Sequence, residues 1–116
     1  MLFRPKNTKV DFNSLKLKIG SNCIDRIGKE CETSFFKFVG IRLDEFLEWD
    51  QHISHVATKT NCGNYILAQS KNFLPIKIRK NLYNSLIRSH LEFGILSWGA
   101  ATPNKLRKLN NIQKNA

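Results

Sequence analysis

The hydrophobic period of this 116-residue chain changes once, near Leu47, and that change limits its fold more than any other feature. Before it, apolar residues alternate with polar ones or gather in short aromatic and β-branched runs; after it they recur at spacings of three and four. A period of two marks one face of a strand, and a period of about 3.6 marks one stripe of a helix, so the two parts require different elements. The expected class is α+β: a short antiparallel β-hairpin or three-strand sheet within residues 1–47, then about three helices within residues 48–116. The boundary carries no linker composition, and neither an internal repeat nor a low-complexity tract is visible along the chain.

In the first part, Leu15, Leu17 and Ile19 alternate with Lys16 and Lys18, Gly20-Ser21-Asn22 supplies turn residues, and Cys23 to Ile27 resumes a strand-like pattern. Ser34 to Leu43, rich in aromatic and β-branched residues, reads as a third strand with Gly40 inside it. Met1 to Phe3 reads as the tail of another strand, cut by Pro5. In the second part, Trp49, Ile53, Val56, Thr60, Gly63 and Leu67 share one helical stripe, with Glu48 or Asp50 suited to the positive end of the dipole. Ser70 to Phe73 reads as a break, and Pro75 as the first residue of a second helix. Its inner stripe is Arg79, Leu82, Tyr83, Leu86, Ile87, His90, Leu91 and Gly94, continuing through Ile95 to Trp98 and ending at Gly99. Lys77, Lys80, Asn84 and Arg88 occupy another face. Thr102-Pro103 opens a third helix with Leu106, Leu109, Ile112 and Gln113 inward, which stops in mid-pattern at Ala116.

Charge adds a partner class. The net charge is +10, and it is uneven: up to Leu47 nine Lys/Arg face six Asp/Glu, whereas from Glu48 onward ten face three. Such a field attracts polyanions, nucleic acid or an anionic membrane surface, and says nothing of fold. The three cysteines, Cys23, Cys31 and Cys62, show no C-x-x-C spacing, so neither a disulfide framework nor a zinc knuckle is indicated, and a reducing intracellular setting is the simpler expectation. No signal-peptide core and no run of roughly 18 apolar residues is present, so neither secretion nor membrane insertion is expected.

One succession of short motifs carries more than the composition. It runs Phe38-Val39-Gly40, Trp49-Asp50-Gln51-His52-Ile53, Leu74-Pro75, Leu82-Tyr83-Asn84-Ser85-Leu86-Ile87, Ser97-Trp98-Gly99 and Gln113-Lys114-Asn115-Ala116. Each alone is weak, but their order over nearly the whole chain resembles the end of the palm and the start of the thumb in reverse transcriptases of non-LTR retrotransposons, the jockey-like and LINE-like elements. Val39 stands where that family usually has Leu, and Phe93 where Tyr is frequent. The resemblance implies a palm remnant with a primer-grip strand over 1–47 and a helical thumb over 48–116. Phe38, Val39 and Gly40 would inherit the grip, a hairpin whose backbone and aromatic face hold the primer 3′ end. Lys77, Lys80 and Arg88, with Lys105, Lys108 and Lys114, would line the surface that tracks an RNA or DNA template–primer duplex without reading its sequence.

The same resemblance implies a truncated, non-catalytic piece. The family's RNA-directed DNA polymerase chemistry uses palm aspartates, including a Tyr-x-Asp-Asp turn, to hold magnesium, and the chain contains no Asp-Asp pair. No cofactor is therefore expected of this chain itself, and pairing with the remaining polymerase domains is an open possibility. Met1-Leu2-Phe3 resembles the strand that follows that turn. A protein-interaction or scaffold remnant and a non-functional transposon relic are the competing readings.

Each candidate also has a plainer role. A strand with Gly at a bulge is the alternative for Phe38 to Gly40, and a solvated face is the alternative for any single lysine. Trp49 and Trp98 fit interhelical packing better than base stacking. His52 and His55 with Cys62 lack a carboxylate on the same face and make a poor metal site. Asp44-Glu45, adjacent at a strand end, face apart and do not suit two metals.

Overall fold

The computed structural model describes residues 1, 3–9, 11, 17–24, 28 and 34–115. The chain divides into two units, Met1–Glu48 and Trp49–Ala116. The expected α+β class is what the structure has, two small antiparallel hairpins and then helices.

In the first unit, β1 (Lys18–Ile19) pairs with β2 (Asn22–Cys23) around Gly20-Ser21. Gly20 has φ 62, the left-handed first position that a tight two-residue hairpin turn requires. Asn22 thus belongs to the strand rather than to the turn. Leu15, Lys16 and the stretch from Asp25 to Ile27, expected in the same hairpin, lie outside the described residues. Met1 and Phe3 are not in a strand; the segment that follows them is tied down by side chains. Arg4 donates to Glu45 at 2.5 Å, Lys6 to Glu48 at 2.9 Å, and the Arg4 guanidinium lies 5.2 Å from the Phe46 ring centroid. Glu45 is 1% exposed, so its charge is held by a buried pair rather than by water.

The stretch expected as one third strand is two. β3 (Phe35–Phe38) folds back on β4 (Ile41–Asp44), with Phe35 opposite Asp44 and Phe38 opposite Ile41. The reversal happens at Val39-Gly40, whose φ values of 47 and 84 are both left-handed, as a primed two-residue turn demands. A β-branched residue is poorly suited to that conformation, which is why Val39 does not read as a turn residue. The register puts Phe36, Phe38, Ile41 and Leu43 on one face, and Phe35, Lys37, Arg42 and Asp44 on the other.

In the second unit, α1 (Asp50–Ser70) buries His52, Ile53, Val56, Ala57, Thr60, Gly63 and Leu67, the expected stripe widened by its neighbours. Asp50 in its first turn suits the helix dipole. Thr60 is fully buried and satisfies its hydroxyl by donating to the Val56 carbonyl at 2.6 Å. After the break, α2 (Ile76–Tyr83) runs through a π-helical turn (Asn84–Arg88) into α3 (Ser89–Glu92) as one continuous rod. Ile87, on that turn, is completely buried. Gly63 allows the approach: a Cβ there would lie 2.9 Å from Ile87 Cγ1 and 3.1 Å from the Leu86 carbonyl oxygen. His90, expected inward, is exposed.

The second helix does not continue to Trp98. Phe93 is extended with ψ 117, Gly94 is left-handed with φ 64, and a one-turn helix α4 (Ile95–Trp98) starts afresh. Trp98 helps fix the break, because its buried indole N–H donates to the Phe93 carbonyl at 2.9 Å. Helix α5 (Pro103–Lys114) begins with Thr102 at the cap position and Pro103 inside it, as expected, although the Thr102 hydroxyl makes no cap bond. Gln113, expected inward, is exposed. The core joins Ile53, Val56 and Ala57 of α1 to Trp98 and Leu109, with Trp49, Leu91, Leu106 and Ile112 packed around them.

Candidate nucleic-acid interface

The residues expected to grip a primer lie at the tip of the β3–β4 hairpin. Phe38 is 59% exposed and Val39 73%, and Gly40 is exposed beside them. The apolar face behind the tip is also open, with Phe36 44% exposed. On the opposite face Lys37 and Arg42 stand directly across from each other, and the Arg42 guanidinium sits 4.8 Å from the Phe35 ring centroid. Like charges in register disfavour the pair, a feature the alternation of the segment did not bring out.

On the second unit, Lys77, Lys80 and Arg88 share the solvent side of the α2–α3 rod, away from Leu82, Leu86 and Ile87. Arg88 donates to Glu92 one turn on, at 2.6 Å, and that hydrogen bond and charge raise its pKa, holding it in the charged form. Lys105 is turned inward, 27% exposed at its side chain, and bridges Asp50 at 2.9 Å. It ties the start of α5 to the start of α1 instead of facing outward. Lys108 and Lys114 are exposed.

From Trp49 onward the unit has ten Lys/Arg and two acids, Asp50 and Glu92. Both acids are occupied, by Lys105 and Arg88. Lys77, Lys80, Lys108 and Lys114 therefore form no ion pair among the described residues, which leaves their positive potential available to a polyanion.

The other candidates take structural places. Trp98 is 2% exposed, and its ring meets the buried His52 ring at 5.6 Å between centroids. Trp49 is partly buried against the core. Among the described residues no group of His, Cys, Asp and Glu could hold a metal ion, and Cys23 and Cys62 are exposed free thiols. Among them, too, no helix is long and apolar enough to cross a membrane.

Compared with known proteins, the chain matches no family model, no curated protein and no solved structure. The resemblance to reverse transcriptases rests on its motifs and their order.

Proposed function

We propose that the chain is a nucleic-acid-holding segment of a non-LTR retrotransposon RNA-directed DNA polymerase. It binds a template–primer duplex through phosphates, without sequence preference, and forms no bonds of its own. The observation that carries this reading is the uncompensated charge of the second unit, where both acids are taken and Lys77, Lys80, Lys108 and Lys114 are left outward. The exposed tip at Phe38, Val39 and Gly40 supports it, since a ring and a backbone without Cβ can both approach a strand end.

The test is fluorescence anisotropy of the purified chain with a labelled primer–template duplex across a range of salt. Affinity should fall steeply and linearly on a log–log plot, as counterion release requires. Absent binding, or binding indifferent to salt, overturns the proposal.

A second reading has its own support in the open apolar surface: Phe36 and Phe38 on the hairpin, and Leu96, 97% exposed, on α4. Uncovered rings on a two-stranded sheet suit a partner polypeptide, such as the rest of a polymerase. Co-purification with a protein, and none with nucleic acid, would favour that reading.

A further inference from the structure

The turn between α1 and α2 holds an aromatic ring out into solvent. Phe73 is 83% exposed, although the backbone around it is fixed: its N–H and that of Leu74 both donate to the Ser70 carbonyl, at 3.1 and 3.0 Å. The Ile78 and Arg79 N–H groups then close the first turn of α2 on the Pro75 carbonyl, and Leu74 is half-buried beside the ring. A ring presented from a backbone already held in place loses little further freedom when something covers it. One exposed apolar side chain by itself requires no partner; the charge around this one is the second observation.

From Gln51 to Leu91 the chain has no Asp or Glu against six Lys and Arg. Lys71 precedes the ring and Lys77 and Lys80 follow it, all three exposed and none in an ion pair among the described residues. Cations on both sides of an open ring, with no carboxylate in that stretch to repel a polyanion, suit a strand whose phosphates meet the lysines while a base stacks on the ring. An anionic bilayer or an acidic amphipathic helix would instead need a continuous apolar face. The aliphatic side chains next to the ring do not extend it into one. Ile76, 72% exposed, and Ile78, 46% exposed, are two positions apart on α2 and therefore on the order of 200° apart around it.

We propose that the α1–α2 turn is a stacking platform for an unpaired nucleotide, in which the Phe73 ring takes the face of a base and Lys71 and Lys77 take the phosphates flanking it. It rests on the duplex-holding reading for its ligand class and deepens it, because it assigns a single-stranded part of the template, beyond the base-paired part, to one defined turn. Every base has a π-face and only an unpaired one frees it, so the platform separates single strand from duplex and not one sequence from another.

The experiment uses the full chain and one labelled primer–template duplex in two forms, with a short oligoadenylate extension on the template strand or with an abasic extension of the same length. The two carry the same phosphates and differ only in bases. The oligoadenylate form should bind about tenfold more tightly, within the range that one stacked base contributes, and the ratio should persist as salt weakens both. Phe73→Ala should abolish the ratio while circular dichroism shows the fold unchanged, since the ring lies outside the core. Equal affinity of the unaltered chain for both forms overturns the proposal whatever the variant does, and so does a ratio that Phe73→Ala retains. Steep salt-dependent binding of the duplex with no such ratio sinks the platform and leaves the duplex reading standing. A base-dependent, ring-dependent preference for the free extension strand, in a chain that does not hold the duplex, supports the platform and overturns the duplex reading. Adsorption to phosphatidylserine vesicles that Phe73→Ala abolishes, with no base-dependent ratio, gives the turn to a bilayer and overturns the platform.

Discussion

Val39 carries the conformational cost of the first unit's second hairpin. At φ 47 its Cβ crowds the backbone, where Gly40 beside it at φ 84 has no Cβ to crowd. Replacing Val39 by Asn would give the Asn-Gly pair that primed turns favour, and should stabilise the hairpin by about 1 kcal/mol. Amide hydrogen exchange across Phe35 to Asp44 checks this; faster exchange would mean that the Val39 side chain contributes contacts worth more than the strain. Gly63 works in the opposite sense. Alanine there improves helix propensity by about 1 kcal/mol, yet its methyl would stand 3.1 Å from the Leu86 carbonyl, a backbone atom that cannot swing aside. Overpacking of this kind costs about 1–3 kcal/mol. Gly63→Ala should therefore lower the urea midpoint of the second unit, and a raised midpoint would show that the α1 and π-turn backbones separate easily.

The helical break at Phe93-Gly94 depends on one side chain. Trp98→Phe keeps most of the apolar bulk but strips the Phe93 carbonyl of its indole donor. The loss of one hydrogen bond costs about 0.5–1.5 kcal/mol, so the thermal midpoint should drop modestly, with the fastest new exchange around Gly94; an unchanged midpoint would mean that water replaces the indole N–H. This element also shows what the sequence could and could not reveal. The α1 stripe was readable because Ile53, Val56, Thr60, Gly63 and Leu67 are local in period and all are buried. The break was not, since nothing in the pattern from Leu82 to Leu91 announces that the Trp98 indole, five residues beyond Phe93, will divert the Phe93 carbonyl. The β3–β4 reversal was hidden for a related reason. Its turn uses Val39 in a conformation its type disfavours, so the hydrophobic run looked unbroken.

Across the whole molecule, the excess of positive charge was legible by counting, but which charges remain available was not. The Lys105–Asp50 bridge joins the first turns of α1 and α5, helices far apart in sequence, so only the fold removes that lysine from the outward set. The distinction has a measurable consequence for duplex binding. Each exposed cation that meets a phosphate contributes about 0.9 to the slope of log affinity against log salt on a B-form duplex. Replacing Lys77, Lys80, Lys108 and Lys114 together by Gln should flatten that slope by up to about 3–4, less whatever share of them the duplex does not reach. Lys105→Gln should flatten it by much less than one unit, because the charge it removes is already offset by Asp50 at 2.9 Å. Circular dichroism of both variants separates a lost contact from a lost fold. If Lys105→Gln flattens the slope as strongly as Lys108→Gln alone, the Asp50 bridge opens on binding and the duplex reaches the inner side of α5. If the fourfold variant keeps the full slope, the polyanion is held elsewhere, and the paired cations Lys37 and Arg42 on the β3–β4 hairpin become the place to look.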